Sequence, residues 1–375
     1  MHFHKIRKKF LYIVSIILLL AIIAWVVSLF IQTPPTEKIE AGRKAIAQAI
    51  KEEAQIYSAT ELNLARKNWE DAMNNWKINN NKNALSRNYE QTIILAHSAI
   101  TNAQQAINNS IQRKKEYRKE IETCLPTLRK KIAFIKSVKE KMPVNHTVWN
   151  KFTPIILKME ETESAFKRND LLSAKKNLKT LTDSVNEIEK QTTNLINNYF
   201  NSYNEWINLD KEIRQKSITT GSITIVVDKF SRKCIVYKYG KKHKEYDIEL
   251  GINWLGHKIQ KGDRATPEGK YSITSKKQGR NTIYHKALLI NFPNSTDISN
   301  FKKNKANGTI PKNAIIGGTI EFHGGGGRGI DWTDGCIALT NKDMNSLYAL
   351  CSVGTPVAIV GSLTPIEKIF DLAPQ

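Results

Sequence analysis

Glycine is distributed very unevenly along the chain, and the distribution separates two kinds of structure. Between residues 36 and 216 Gly42 is the only glycine, and the segment is rich in Ala, Leu, Ile, Lys, Glu, Gln and Asn. Apolar residues recur there at intervals of three and four, which is typical of amphipathic helices. After residue 216 glycine becomes frequent, and β-branched and aromatic residues alternate with polar ones, which predicts short strands. We therefore predict a multidomain α+β fold, with an all-α part before a β-rich part.

The N-terminal segment carries one apolar run over residues 10–31. As a helix such a run spans roughly 30 Å, about the hydrocarbon thickness of a bilayer. A cleaved signal peptide would have a shorter apolar core and a small-x-small exit, which is not visible here, so we expect an uncleaved transmembrane anchor over residues 1–35. The positive-inside rule places the N-terminus in the cytoplasm and the rest of the chain outside. The cations that set this orientation are Lys5, Arg7, Lys8 and Lys9.

The formal net charge of +22 limits the choice of partners. A basic protein can neutralise nucleic-acid phosphates, or it can work beside an anionic surface. An extracytoplasmic location favours the second, so we predict no nucleic-acid partner. The four cysteines show neither CxxC pairing nor zinc-ligand spacing. Cys124 or Cys234 could form a disulfide in an oxidising compartment; the alternative is that each is a small buried hydrophobe.

Residues 36–216 are predicted to form a helical spacer of two hairpins. Turns are expected at 78–83, at Pro126, at 142–146 and at 167–170. The spacer would hold the C-terminal part away from the membrane or offer a docking surface to an envelope protein. The simpler interpretation is a bundle in which aromatic residues only fill the core. The residues concerned are Trp69, Trp76, Trp149 and Trp206.

Residues 217–362 are predicted to form one compact β-rich domain, followed by a tail over 363–375. One helix is expected over 340–352, because Thr340 is a natural N-cap with Asp343 at the third helical position. Within the domain, "KGDRATPEGKYSI" (261–273) is a turn-rich loop leading into a strand. The remaining candidate strands are Gly269–Ser275, Ala287–Phe292, Thr319–Phe322 and Pro356–Val360.

The stretch "FHGGGGRGIDWTDGCIALTN" (322–341) carries the residues best suited to chemistry. A cysteine thiolate is a nucleophile, and a nearby imidazole lowers its pKa. His323 ends a predicted strand, and Cys336 follows Gly335, which permits a sharp bend. Folding of the glycine-rich segment would bring the two side chains together for acyl transfer. The alternative is a buried cysteine and an unrelated histidine; zinc is disfavoured, since no further Cys or His lies at ligand spacing.

Three segments together resemble the L,D-transpeptidase catalytic domain, also called the YkuD domain. They are "GDRATPEGKY" (262–271), "LLINFPNSTD" (288–297) and the stretch from "IEFHGGGG" to "DWTDGCIALTNKDMNSLY". The resemblance as a whole covers about residues 220–361. The family signature is His-Gly, a gap, then Ser/Thr-His-Gly-Cys. His323 and Cys336 match it, but Asp334 stands where the family has histidine, and the gap is short. "DWTDGCIAL" resembles the branch related to YafK, whose members are implicated in hydrolysis as well as transfer.

The resemblance implies a mechanism and a set of site residues. Cys336, activated by His323, would attack the amide between the third and terminal residues of a peptidoglycan tetrapeptide stem and release the D-residue. An amine of a neighbouring stem, or water, would then take the acyl group. No metal or organic cofactor is expected. The backbone N–H groups of Gly335 and Cys336 are oxyanion candidates. The expected substrate contacts are Gly324, Arg328, Trp332 and Thr333.

Three functions remain open at this point. The first is an anchored cysteine acyltransferase of the cell wall that forms cross-links or attaches proteins. The second is a hydrolase acting on the same bond and releasing D-residues or wall-attached proteins. The third is a non-catalytic wall-binding tether in which the helices matter most; Asp334 keeps this alternative open, and an acid pointing inward there would raise the pKa of the cysteine.

Overall fold

The computed structural model describes residues 2–29, 31–143 and 149–370, with side chains described from residue 7 onward. The chain forms two compact units: residues 1–126 with 160–179, and residues 127–159 with 180–375. The helices that precede the sheet are α1 (His2–Leu29), α2 (Thr36–Lys51), α3 (Ala54–Tyr57), α4 (Ala59–Asn80), α5 (Glu90–Lys141), α6 (Phe152–Lys167), α7 (Leu171–Phe200) and α8 (Tyr203–Thr220).

Helix α1 contains residues 10–29 of the predicted apolar run over 10–31. Residues 7–29 are long and apolar enough to cross a membrane, and none of this span is buried within the protein. In the part of the chain that the structure describes, it is the one helix with these properties.

The first unit packs its helices closely through small residues. Gly42 of α2 faces the ring of Trp69 of α4, where a Cβ atom would lie 3.0 Å from the indole. The indole N–H of Trp69 donates to the Ile39 carbonyl at 3.0 Å. The aromatic residue therefore serves the helix core, as the simpler interpretation expected. Alanines fill much of the same core, at positions 49, 54, 65, 103 and 106.

Helix α5 corrects one expectation, since the predicted turn at Pro126 is wrong. The helix runs 52 residues from Glu90 to Lys141 with Pro126 inside it. Proline removes only the hydrogen bond to the Glu122 carbonyl, while a buried stripe at Ile121, Leu125, Leu128 and Ile132 continues past it. Burial of that stripe outweighs the lost bond.

The other predicted breaks between helices fall where expected. Helix α4 ends at Asn80 and α5 begins at Glu90, which confirms the turn at 78–83, and α6 and α7 are separated at 168–170. Of the predicted turn at 142–146, residues 144–146 lie outside the described residues, and α5 ends just before the turn.

The second unit contains an eight-stranded sheet in the order β3-β2-β1-β8-β4-β5-β6-β7. The pairs β1–β8 and β6–β7 are parallel, and the other pairs are antiparallel. The predicted strand over 356–360 has the observed bounds, and three others overlap the observed ones. The strands are β1 (Thr224–Asp228), β2 (Lys233–Lys238), β3 (Lys241–Asp247), β4 (Gly269–Gln278), β5 (Lys286–Ile290), β6 (Glu321–His323), β7 (Ile337–Ala338) and β8 (Pro356–Val360).

Three helices accompany the sheet: α9 (Ser295–Ala306), α10 (Asn341–Leu350) and α11 (Ile366–Phe370). Helix α10 confirms the expected helix, with the Thr340 hydroxyl accepting from the Asp343 N–H. Helix α9 was not foreseen, although Asn294 and Asp297 form a capping box at its start. The α+β fold class is confirmed.

A buried polar network lies under the sheet, between it and helices α7 and α8. The fully buried Lys229 ammonium donates to Glu268 at 2.7 Å and to the carbonyls of Gly256 and Thr266. Glu268 also accepts from the Trp206 indole at 3.2 Å. Every donor of the ammonium thus finds an acceptor, which is what burial of a charge requires.

Candidate active site

His323 and Cys336 are brought together by the parallel pairing of β6 with β7. His323 is in register with Ala338, and Phe322 with Ile337. Cys336 directly precedes β7, so this pairing sets the backbone that carries Cys336 beside the strand that ends at His323.

The His323 ring is fixed in one tautomer. Its Nδ1 lies 2.7 Å from the Gly324 carbonyl oxygen, so Nδ1 carries the proton and donates. Its Nε2 is buried and has no hydrogen-bond partner among the described residues. Burial lowers the pKa of the imidazole, which keeps the ring neutral. The result is a neutral base with its lone pair on Nε2.

Cys336 is a thiol at rest. Burial raises its pKa to about 11, and Sγ lies 3.6 Å from the Thr319 carbonyl oxygen, to which the thiol donates. We expected the imidazole to lower this pKa; here burial prevails, because a neutral imidazole provides no positive charge. The side chain is nevertheless half-buried rather than sealed.

The turn that presents Cys336 is organised by Thr333. The buried Thr333 hydroxyl donates to the Cys336 carbonyl at 2.8 Å and accepts from the Gly335 N–H at 3.2 Å. Gly335 has φ +127°, and a Cβ there would lie 2.5 Å from the Ala265 carbonyl oxygen. Thr333 therefore shapes the turn instead of facing substrate, and the Gly335 N–H is already engaged.

Asp334, the departure from the family signature, points outward. Its side chain is 87% exposed and pairs with Arg264, the Nε–Oδ1 distance being 3.1 Å. Its charge is the weakest of the influences on the Cys336 pKa. The substitution of the usual histidine by aspartate consequently leaves the thiol and its base in place.

The glycine run over residues 324–327 allows its backbone to pack closely against another part of the chain. A Cβ at Gly326 would lie 2.9 Å from the Leu339 backbone, and the Gly326 N–H donates to the Leu339 carbonyl at 2.8 Å. The Gly325 N–H donates to the Asn341 side chain at 2.9 Å. Gly324, which we expected to contact substrate, is buried and instead accepts from His323.

Glu249 anchors the far side of this loop, and sequence reasoning missed it. Its buried carboxylate accepts from the N–H groups of Arg328 and Gly329 and, at 2.6 Å, from the Trp332 indole. Its backbone pairs with Ala338 in both directions. The available signal was an acid inside the apolar run "YDIELGIN".

Trp332 and Arg328 form the outer wall beside the histidine. The Trp332 ring meets the His323 ring edge-on, with the ring centroids 5.8 Å apart, and its expected contact with substrate stays a prediction. The Arg328 guanidinium lies 3.5 Å from the centre of the Trp332 ring, and its Nε donates to the Gly325 carbonyl at 3.3 Å. Arg328 is exposed, but its guanidinium group contacts the protein through Trp332 and Gly325.

The "KGDRATPEGKYSI" loop lies against the nucleophile turn. Although burial opposes it, four donors lower the pKa of Asp263: the Lys258 ammonium and three backbone N–H groups. This carboxylate closes the loop and thereby presents the Ala265 carbonyl to Gly335 and the Arg264 side chain to Asp334. Within the described part of the chain, no group of three His, Cys, Asp or Glu side chains is arranged to hold a metal.

Residues 222–359 match the family model of YkuD, the L,D-transpeptidase catalytic domain. This match confirms the family resemblance read from the motifs of this region, whereas the YafK-related branch stays a prediction. No curated protein matches the chain.

Solved structures resemble the same region. Bd1075 of Bdellovibrio bacteriovorus is 22% identical, with 40% of this chain and 52% of that chain covered and a TM-score of 0.30. An L,D-transpeptidase from Mycobacterium smegmatis is 14% identical, with coverages of 37% and 59% and a TM-score of 0.26. A mutant L,D-transpeptidase from Enterococcus faecium is 18% identical, with coverages of 37% and 50% and a TM-score of 0.25. The chain thus spans between half and three fifths of the length of these structures.

Proposed function

We propose that the protein is a membrane-anchored, extracytoplasmic L,D-transpeptidase that acts on peptidoglycan stem peptides through an acyl-enzyme on Cys336. One observation carries the proposal: β6 ends at His323, a neutral imidazole whose Nε2 has no partner among the described residues, and it pairs with β7, which begins directly after Cys336. The family match over residues 222–359 supplies the substrate class.

In the proposed acylation, Nε2 of His323 takes the thiol proton as Sγ attacks the carbonyl carbon of the third stem residue. The S–C bond forms, the C–N bond to the terminal D-residue breaks, and the proton passes from the imidazole to the leaving amine. A resting thiol with a pKa of about 11 requires this coupling, because very little thiolate is present near neutral pH. The imidazole is neutral again when the D-residue leaves.

The tetrahedral oxyanion needs backbone donors. Since the Gly335 N–H is bonded to Thr333, we assign the stabilising role to the Cys336 N–H, which follows in the same turn. Gly335 then acts by setting the direction of that N–H through its left-handed backbone. A donor directed at the developing charge stabilises the transition state more than the substrate.

The second half-reaction decides between transfer and hydrolysis, and both use the same acyl-enzyme. The alternative function is a hydrolase that releases D-residues or wall-attached proteins, in line with the resemblance of "DWTDGCIAL" to the YafK-related branch. Timing the breakdown of a trapped acyl-enzyme with and without an acceptor amine separates the two. Rapid hydrolysis despite excess acceptor would count against transferase action.

The remaining parts of the chain have proposed supporting roles. The apolar helix over residues 7–29 suits a single-pass anchor, and the positive-inside rule then places the catalytic domain outside the cytoplasm. The helices over residues 36–216 would serve as a spacer and a docking surface for envelope proteins.

Intact-mass measurement after exposure to a carbapenem tests the nucleophile, because this family is commonly acylated by that class of compound. We expect one adduct on the wild type and none on Cys336→Ala. Cys124→Ala, which removes a half-buried thiol from helix α5, is the matched control and keeps the adduct. Loss of all muropeptide turnover in Cys336→Ala supports an enzyme, whereas unchanged wall function in that variant would favour the tether.

A further inference from the structure

We infer that the cleft beside Cys336 is a carboxylate subsite in which Arg264 holds an anionic group of the stem peptide and Asp334 occupies that position when no substrate is bound. The inference rests on the proposed function and specifies how the substrate is recognised. The cleft has a volume of about 630 Å³ and is lined by Lys258, Lys261, Gly262, Arg264, Ile315, Ile316, Gly317, Gly318, Thr319 and Asp334. A cleft of this size suits a small peptide group.

The cleft adjoins the nucleophile directly. Thr319, one of its walls, accepts the Cys336 thiol hydrogen bond at 3.6 Å, and Asp334 lies two residues before Cys336. The cleft and the Cys336 thiol thus share Thr319 as a common wall. The lining side chains include three cations and one carboxylate, which favours an anionic ligand.

Two lining residues adopt backbone conformations that cost free energy. Arg264 has φ +58° and the β-branched Thr319 has φ +59°. Non-glycine residues in this region carry a conformational penalty, and such residues concentrate at functional sites. Arg264 is held there because its carbonyl accepts from the Asn253 N–H at 3.1 Å and closely faces Gly251. These contacts hold Arg264 in a strained backbone conformation, and this conformation directs its side chain into the cleft.

The Arg264 guanidinium has capacity for a second carboxylate. Only its Nε is engaged, at 3.1 Å from Asp334, and among the described residues its terminal amino groups have no partner. Its side chain is 45% exposed, so a ligand can reach it. Arginine binds carboxylates through two parallel hydrogen bonds, and an exposed Asp334 leaves this pair readily.

The other basic residues do not compete for this role. The Lys258 ammonium is nearly buried and bonded to Asp263 at 2.7 Å. Arg328, which we expected to bind a substrate carboxylate, is stacked on Trp332 instead. Lys261, the remaining lining cation, carries an ammonium rather than a planar fork. Arg264 is therefore the lining cation with the geometry for a paired contact. A stem peptide offers two sources for the anion: the α-carboxylate of the leaving D-residue and a side-chain carboxylate of the third residue.

The test compares wild type with Arg264→Gln on synthetic tetrapeptides, following release of the terminal D-alanine by mass spectrometry. The peptides end in D-alanine or its amide, and carry diaminopimelate or lysine at position three. We expect KM for the fully anionic peptide to rise about tenfold in Arg264→Gln, as for loss of a charged hydrogen-bonded pair. The peptide lacking the relevant carboxylate should show the same KM in both proteins. The identity of that peptide shows which of the two carboxylates Arg264 binds.

Asp334→Asn supplies the converse measurement. Removing the resident carboxylate should lower KM for the anionic peptide about threefold, without a matching change for the peptide that lacks the carboxylate. Lys241→Gln, which removes one cation from the opposite edge strand β3, should leave both values unchanged.

Each outcome bears on one proposal. Equal losses on all four peptides, or none, in Arg264→Gln would overturn the subsite. Thermal unfolding with a midpoint close to that of the wild type confirms that each variant is folded. A wild type that releases D-alanine from none of the peptides would instead contradict the proposed function.

Discussion

The phenol ring of Tyr284 lies parallel to the imidazole of His323, with the ring centroids 3.7 Å apart and the planes inclined by 12°. Burial raises the pKa of Tyr284, so the stacked phenol stays protonated and uncharged. The stacked phenol and the edge of Trp332 enclose the imidazole. This enclosure keeps water away from the base and fixes the plane in which Nε2 can accept a proton.

The enclosure predicts the pH dependence of acylation. Only neutral imidazole can take the thiol proton, and burial places the His323 pKa below its ordinary value of about 6.5. The rate constant should therefore be level from about pH 6.5 to 9 and fall only as the pH drops through that lowered pKa. Stopped-flow acylation by a carbapenem across this range measures it.

The contrasting outcome is a rate that climbs tenfold with each pH unit up to 9. That profile would mean attack by thiolate formed without the base, as a thiol with a pKa of about 11 would give. His323→Gln should convert the level profile into this climbing one. Tyr284→Phe, which keeps the stacked ring, should leave the profile level.

Substitutions at Glu249 and Trp332 should have strongly non-additive effects on activity. In Glu249→Gln an amide N–H would face the indole N–H or a loop N–H. Buried donors would then lack an acceptor, which costs about 1–3 kcal/mol. The loop beside His323 would loosen, and kcat/KM should fall about tenfold. Trp332→Phe removes the opposing donor, so the double variant should lose less than the sum of the single losses. Additive losses would show that the indole contact is unimportant.

Gly335→Ala should destabilise the domain by about 3 kcal/mol and abolish acylation, since both the left-handed backbone and the Ala265 carbonyl oppose a Cβ. Thermal unfolding and carbapenem mass shift measure the two effects. Gly354→Ala is the matched control: it shares a positive φ of +89° but meets no atom within 4 Å. It should lose roughly 1 kcal/mol and remain active; similar losses in both would refute the steric argument.

Lys229→Met should lower the free energy of unfolding by about 3–5 kcal/mol, because it leaves the Glu268 carboxylate inside the protein without its cation. Glu268→Gln introduced into the same chain removes the stranded charge and should recover part of the loss. Chemical denaturation gives the free energy of unfolding of the single and the double variant. Tryptophan fluorescence follows the transition, because Trp206 is buried beside Glu268. A double variant as unstable as the sum of its parts would exclude the ion pair as the cause.

Much of the catalytic region follows from local signals in the sequence. The strand at Pro356–Val360 is a short β-branched run, and the helix after Thr340 has its cap and its Asp343. His323 and Cys336 stand out by type and glycine context. Helix α9 was not predicted, because Asp297 is its one buried residue and it therefore lacks an apolar stripe with helical period.

The contacts that complete the site depend on tertiary packing. No local pattern shows that Glu249 meets Trp332, residues 83 apart, or that Tyr284 stacks on His323. Burial likewise sets the Cys336 pKa upward where chemical type suggested a lower value. Pro126 illustrates the same limit, since a buried apolar stripe on both sides overrides its preference for a break.

The hydrogen bond from the Cys336 sulfur to the Thr319 carbonyl has a consequence for the lifetime of the protein. Peroxides and other oxidants react with thiolates far faster than with protonated sulfur. A nucleophile that stays protonated until a peptide and the imidazole engage it together is spared sulfenic acid formation between turnovers. Burial of the turn, which raises the pKa of the thiol, would therefore also slow its oxidation.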